Sequence, residues 1–319
     1  MFRHSAYPRC LKLIAITMLV AGLTAAQALT PAGARRPASV PANYVITPFG
    51  FFHPSCVHQL APGEQVRKDA KAIQHADGSL ENVNTCAFAQ YNSKGELSAQ
   101  KGTPVKQPTI GHAWVEYSGT TTSTSYGELV AEWTVPPAPT VNNGQTVYLF
   151  PGLEDYADVV SILQPVLGWN SDFYAAWGIA SWNCCVAGHV FEATPKRVNP
   201  GDTIYGAMWD TCAAGTLSCP TWDILTYDLS TGAYSEMLNT SSYGQTFNWA
   251  FAGALEVYNI YQCANYPPSN STSFHNLYLY NDSFQLIPSP NWSVTNWSGG
   301  LTPQCGYGGS MQQQVTLTY

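Results

Sequence analysis

From Gly111 to Tyr319 the chain is cut into short segments rich in β-branched and aromatic residues, each closed by a Pro, Gly or Asn signal. No stretch of that region repeats its apolar residues at a helical period. Runs of this kind pack only as strands, so helical bundles and alternating α/β folds are excluded. Strands are expected over 129–135, stopped by Pro136-Pro137, and over 145–150, stopped by Pro151-Gly152. Others are expected over 159–167, 174–182 and 189–193. The turn Asn199-Pro200-Gly201-Asp202 leads into one over 203–209. Residues 222–229 and 233–238 read as a hairpin across Ser230-Thr231-Gly232, and strands over 246–251, 254–260, 274–280 and 314–319 complete the set. Many short strands at this spacing specify an all-β double-sheet sandwich or jelly roll.

The N-terminus sets the compartment. Arg3, Arg9 and Lys12 precede or enter an apolar run over 11–24, and Ala26-Gln27-Ala28 reads as a cleavage site. This is the pattern of a secretory signal peptide over 1–28, with an apolar run too short to span a bilayer. A Pro/Ala-rich linker over 30–42 follows. Residues 29–108 then read as a leader or propeptide region with one helix over 66–75, and 109–319 as the β-sandwich domain. No later run is apolar enough to cross a membrane. The expected product is secreted, extracellular and monomeric.

Cysteine usage agrees with export. Of nine cysteines, Cys10 leaves with the signal and eight remain, an even number that suggests disulfides. Cys56–Cys86 and Cys212–Cys219 are the expected pairs, since each closes a local loop. No C-x-x-C or H-x-x-x-H occurs, and Cys184-Cys185 are adjacent, so no metal is expected. His53-Pro54-Ser55-Cys56-Val57-His58 reads as a turn tied down by its cysteine.

Charge is sparse, 10% of residues, and the net value is −7. No basic footprint for nucleic acid exists. With few carboxylates to protonate, acid has little to act on, which is compatible with an acidic working medium. There is no G-x-S-x-G, H-E-x-x-H or phosphate-binding loop, so neither a serine nucleophile nor a cofactor is expected. The remaining candidates are an amide and a carboxylate set in apolar strands. Gln164 follows Val159-Val160-Ser161-Ile162-Leu163, with Pro165 after it. Glu256 lies within Ala252-Gly253-Ala254-Leu255-Glu256-Val257-Tyr258. A carboxyl in such surroundings has its pKa raised by desolvation.

The order of motifs resembles the eqolisin glutamic peptidases. Trp133-Thr134-Val135-Pro136 resembles that family's early strand ending in T-V-P. Tyr148 to Leu153 followed by Ser161-Ile162-Leu163-Gln164 resembles its W-V-G-I-D-G and A-I-L-Q. Tyr174-Ala175-Ala176-Trp177 resembles Y-D-A-W, and Gly201-Asp202-Thr203-Ile204 resembles G-D-S-I. Trp249 with Ala254-Leu255-Glu256 resembles the W-I-V-E strand, and Val315 to Tyr319 resembles the closing V-T-V-T-Y. The resemblance implies a concanavalin-like double-sheet jelly roll in which Gln164 and Glu256 are the catalytic residues. The span from Trp249 to Glu256 exceeds the family's W-x-x-E, so the strand needs an insertion or bulge. The family's Glu in Y-D-A-W-Y-E-W has no counterpart beside Trp177. The leader and the Glu256 strand also resemble the neprosin glutamic peptidases, which use two glutamates. In that scheme Glu132 or Glu128 partners Glu256.

The implied activity is an acid endopeptidase acting on protein or peptide. Ionised Glu256 takes a proton from water, and the Gln164 amide holds the water and then the oxyanion. Trp133, Trp177 and Trp182, with Glu132, are the expected substrate-binding residues. Two other readings stay open. One is a carbohydrate-binding or polysaccharide-cleaving jelly roll, whose second carboxylate is Glu132. The other is a non-catalytic secreted binding module. Asn239, Asn270, Asn281, Asn291 and Asn296 stand in N-x-S/T sequons, which mark surface loops in a glycosylating host.

Overall fold

The protein is described by a computed structural model covering residues 36–69, 71–99, 113–157, 161–296, 305, 308–311 and 314–319. The expected signal peptide lies outside these residues. Along the N-terminal region run β1 (Val45–Thr47), β2 (Gly50–Phe52), β3 (Val57–Leu60), β4 (Gln65–Val66), β5 (Ala72–Gln74), β6 (Leu80–Asn82), β7 (Gln90–Tyr91) and β8 (Leu97–Ala99). There follow β9 (Trp114–Thr121), β10 (Tyr126–Thr134), β11 (Thr146–Glu154), β12 (Ile162–Trp169), β13 (Trp177–Cys184), β14 (Val190–Ala193) and β15 (Lys196–Val198). The chain continues through β16 (Thr203–Asp210), β17 (Thr221–Asp228), β18 (Tyr234–Ser241), β19 (Trp249–Tyr258), β20 (Ser271–Asn281), β21 (Ser293–Asn296), β22 (Gly308–Met311) and β23 (Val315–Thr318). Among the described residues there is no α-helix.

Two large sheets form the all-β sandwich that the strand pattern specifies. The front sheet has the order β21-β9-β19-β11-β12-β13-β14-β3, with β15 also beside β13, and the back sheet the order β18-β17-β16-β10-β20-β23-β22. Between them Leu149, Leu163, Leu255, Trp133, Trp177 and Phe274 belong to one core. The front sheet is covered on its other face as well. There Tyr148, Phe150, Val166, Trp182 and Ala254 pack against Val40, Tyr44, Phe49, Phe51 and Phe52 of the N-terminal region. Every residue of β11, β12 and β13 is therefore buried. That double burial is why their sequences are continuous apolar runs, whereas β17, wet on one side, alternates buried with half-buried residues.

Two expected breaks prove to be interior. β11 continues through Pro151-Gly152 to Glu154. Its pairing to β12 stops after Leu149↔Leu167 and resumes at Leu153↔Leu163, so Pro151 and Pro165 oppose each other inside the gap. Neither has an N–H to give, and the ladder opens where none is needed. On the other side of Pro151, β19 carries a bulge: Phe150 pairs with Ala254 and Gly152 with Phe251. The same bulge joins the expected strands over 246–251 and 254–260 into one, β19, and adds one residue to the span between Trp249 and Glu256.

The helix expected over 66–75 is not formed. The segment carries the β4–β5 hairpin, in which Val66 pairs directly with Ile73, and both are buried in the inter-sheet core. Two large apolar residues spaced so far apart make too thin a stripe for a helix, while the hairpin buries both at once.

The N-terminal region is stitched to the sandwich. β3 pairs in parallel with β14. His58 Nε2 lies 2.9 Å from His189 Nδ1, and His189 Nε2 reaches the carbonyl of Asn84. That carbonyl only accepts, so His189 Nε2 carries a proton, and in the neutral pair His58 donates to Nδ1. Disulfides join Cys56–Cys86 and Cys212–Cys219, the expected pairs, and also Cys184–Cys185 and Cys263–Cys305. No helix among the described residues is long and apolar enough to cross a membrane.

The bulge depends on Gly253, where an added Cβ would run into the ring of Phe274. Gly253→Ala is expected to destabilise the fold by about 1–3 kcal/mol through overpacking. Urea unfolding measures it, and an unchanged midpoint would mean that Phe274 yields without cost.

Candidate functional site

The covered face of the front sheet carries an amide and carboxyls set among the apolar residues of its strands. Gln164 on β12 and Glu256 on β19 both point to this side, among Ile162, Val166, Ala254 and Tyr258, and both are fully buried. Glu256 Oε2 accepts from Trp114 Nε1 at 3.0 Å, and Oε1 accepts from the Tyr258 hydroxyl at 2.6 Å. Burial still raises its pKa well above the ordinary carboxyl value, and these two donors only partly offset the shift. Gln164 differs: neither its Oε1 nor its Nε2 has a hydrogen-bond partner in the protein.

The sheet sets these groups apart. Glu256 pairs with Tyr148, and Tyr148 with Gly168. Glu256 is thus two strands from Gln164 and four residues further along, about 13 Å in the strand direction at ~3.3 Å per residue. The two side chains share a face without hydrogen-bond contact. Nearer to Gln164 is Glu154, which the sequence reading did not single out. Glu154 pairs with Ile162, which places it diagonal to Gln164, whose own level on β11 is Gly152. It too is buried, and desolvation, then the charge of Glu256, holds its pKa well above the ordinary range. The signal for Glu154 was its even spacing from Tyr148, Phe150 and Gly152, which puts all of them on one face of a strand.

A further carboxyl lies in the row of Gln164. Gln164 pairs with Trp182, Trp182 with Glu192, and Glu192 with Gln59 of β3. Gln59 Nε2 donates to Glu192 Oε1 at 3.2 Å. Burial, then the nearby Asp172, raises the pKa of Glu192 well above normal.

Of the expected substrate-binding residues, Trp182 lies on this face beside Gln164. Trp133 and Trp177 point into the core between the sheets. Glu132 lies on the outer face of the back sheet, where Asn276 Nδ2 donates to it at 2.9 Å and His275 Nδ1 is 3.8 Å away. Glu128 shares strand β10 and the same outward alternation. Neither faces Glu256. Asp210, Cys212 and Cys219 converge, but the two cysteines are bonded to each other and are not metal ligands.

The aromatic cover closes the face. Phe51 meets Tyr258 edge-on at 5.5 Å, Phe49 meets Trp182 at 6.3 Å, and the Tyr148 hydroxyl donates to the Ile46 carbonyl at 3.4 Å.

No protein-family model matches the chain, and no curated protein matches it. Among solved structures it is similar to scytalido-glutamic peptidase in complex with a transition state analog inhibitor. That likeness has a TM-score of 0.47 and 14% identity over 66% of this chain and 100% of the other. SCP-B, a member of the eqolisin family of peptidases in complex with the tripeptide Ala-Ile-His, gives 0.46 and 14% over 66% and 100%. The CBM2 module of the evolved Dit of Lactobacillus casei BL23 phage J-1 gives 0.32 and 10% over 72% and 77%. The likeness is distant in every case.

Two predictions concern stability. Replacing Gln164 by Met keeps the volume and removes the unpartnered amide, so the fold is expected to gain roughly 1–3 kcal/mol. A lower urea midpoint for Gln164→Met would show that the amide is satisfied. The second concerns pH. Burial pushes Glu116, which faces the inter-sheet side of β9, from 4.5 to about 9. Between those values the unfolded chain has released the proton and the folded one keeps it, so stability falls as pH rises. The melting temperature should decline from pH 4.5 toward 9, and Glu116→Gln should flatten the decline.

Proposed function

We propose that the chain is the precursor of a secreted acid endopeptidase, with the covered face of the front sheet as its active site. The observation that carries this reading is Gln164, a fully buried amide without a protein partner, on the same face as carboxyls whose pKa burial raises well above the ordinary range. An unpartnered buried amide costs stability, which is what a group reserved for an absent oxyanion looks like. The motif order from Trp133 to Tyr319, and its resemblance to the glutamic peptidases, supports the same chemistry.

In this scheme the N-terminal region is a propeptide. While Phe49, Phe51 and Phe52 cover the face, Glu256 stays protonated and cannot act as a base. Uncovering hydrates the face and brings the pKa of its carboxyls down, and a water bound by the Gln164 amide then loses a proton to a carboxylate as it attacks the peptide carbonyl. Glu256, the residue the resemblance implies, has to cross the gap of two strands and about 13 Å to reach that water, whereas Glu154 lies diagonal to Gln164. The Gln164 N–H₂ donates to the developing oxyanion, and the protonated carboxyl passes its proton to the leaving amine. Acid also acts on the joint of the cover. His58 is held down to about 4 by burial and then by His189, and a proton added at His189 Nδ1 would set N–H against the His58 Nε2–H.

The test is proteolysis of denatured casein by the secreted protein from acid to neutral pH, with pepstatin present. Activity in acid that falls about 10²–10³-fold in Gln164→Ala is expected, as for loss of an oxyanion donor. Abolition in Glu256→Gln supports Glu256 as the base, and abolition in Glu154→Gln alone moves that role to the nearer carboxyl. A folded, uncovered protein inactive at every pH would overturn the proposal.

A further inference from the structure

The outer face of the back sheet is built unlike the rest of the surface. Across β18, β17, β16 and β10 the register aligns Tyr234, Tyr227, Tyr205 and Glu132 in one row. Two residues along, Leu225, Ala207, Val130 and Tyr278 form the next row. Two further along, Asp223, Trp209, Glu128 and Tyr280 form the third. All alternate with inward residues such as Leu129, Trp133, Ile204, Met208 and Ile224 of the core, so all face outward.

The middle row is low at its centre. Ala207 and Val130, though outward, are only 1% and 6% exposed between larger neighbours, while Tyr278 closes that row on β20 at 45% exposed and Tyr234 ends the first row at 48%. The result is a shallow trough over β16 and β10 rimmed by aromatic side chains, within an aromatic face that spans about 19 Å over the five strands from β18 to β20 at ~4.8 Å per strand spacing. Its walls are held in place. Tyr227 and Tyr234 lie nearly parallel, at 22° with centroids 6.4 Å apart. The Trp209 side chain donates to Asp223, which also accepts the backbone N–H of Asn239 at 2.7 Å. Asn276 fixes Glu132.

We propose that this trough binds a neutral polysaccharide chain. Tyrosine and tryptophan rings offer flat apolar surface to the C–H faces of pyranose rings, with hydroxyl and indole N–H groups at their edges. The carboxylates Glu132, Glu128 and Asp223 accept hydrogen bonds from sugar hydroxyls. None of the twelve positions in these rows is Lys or Arg, and the register adds Glu236 beside Leu225 and His275 beside Glu132, so the face offers carboxyls and one imidazole, which disfavours nucleic acid and acidic polymers. Strand addition by a peptide needs an unpaired edge; β17, β16, β10 and β20 are paired on both sides and of these five strands only β18 is an edge, so an added strand would lie beside the trough and not in it. The site lies on the opposite sheet from Gln164 and Glu256 and does not depend on the peptidase reading.

The experiment is retention of the full secreted protein on a panel of neutral polysaccharides (cellulose, mixed-linkage β-glucan, xylan, mannan, chitin), measured as depletion isotherms. Binding to at least one is expected. Trp209→Ala and Tyr205→Ala should each weaken it by up to about tenfold, Tyr227→Phe should retain it by keeping the ring, and Gln164→Ala should bind as wild type. Circular dichroism melting of each variant shows whether the sheet is intact. Retention on none of the panel would overturn the proposal, as would binding unchanged in a folded Trp209→Ala, Tyr205→Ala double variant. Loss of binding to unfolded protein rather than to glycan in those variants would also overturn it and assign the trough to a protein partner.

Discussion

The structure depends on the front sheet being buried on both of its faces. One face lies against the back sheet and the other against the N-terminal region, so β11, β12 and β13 meet no water. A sheet in that position has no solvent to satisfy stray backbone groups or to screen charge. The opposed Pro151 and Pro165 and the bulge at Gly253 follow from that condition. The ladder opens where two residues lack N–H groups, and the adjacent strand absorbs the offset with one extra residue.

The same burial decides the state of every polar side chain on the covered face. Glu256 keeps two donors, and burial still raises its pKa well above the ordinary carboxyl value. Desolvation, and then the charge of Glu256, raises the pKa of Glu154. Gln164 keeps no protein partner at all. In the proposed scheme these groups are unreactive while they are dry, and hydration makes a base of a carboxyl and frees the amide to bind an oxyanion. Under the proposed function, latency and chemistry are therefore consequences of one physical variable, the presence of water on that face.

The back sheet shows the converse. Its outer face meets solvent, so its strands alternate, and large aromatic side chains stand beside carboxyls there, close enough that desolvation raises the pKa of Glu128 and Asp223. Glu132 and Glu128 belong to this environment, which is why neither partners Glu256.

The sequence by itself determined the fold class. Short β-rich segments between turn signals and the local Cys56–Cys86 and Cys212–Cys219 loops need only nearby residues to be read. It also placed Gln164 and Glu256 on buried strands, because a polar residue inside an apolar run is visible in one dimension. Tertiary structure decided the rest. The Cys263–Cys305 bond spans 42 residues, and the Val66–Ile73 pair became a hairpin because the core rewarded burying both. The inward turn of Trp133 and Trp177, the outward turn of Glu132 and the nearness of Glu154 to Gln164 all depend on register. A strand's own alternation says which residues share a face, but only its pairing with distant strands says which face that is and what lies across from it.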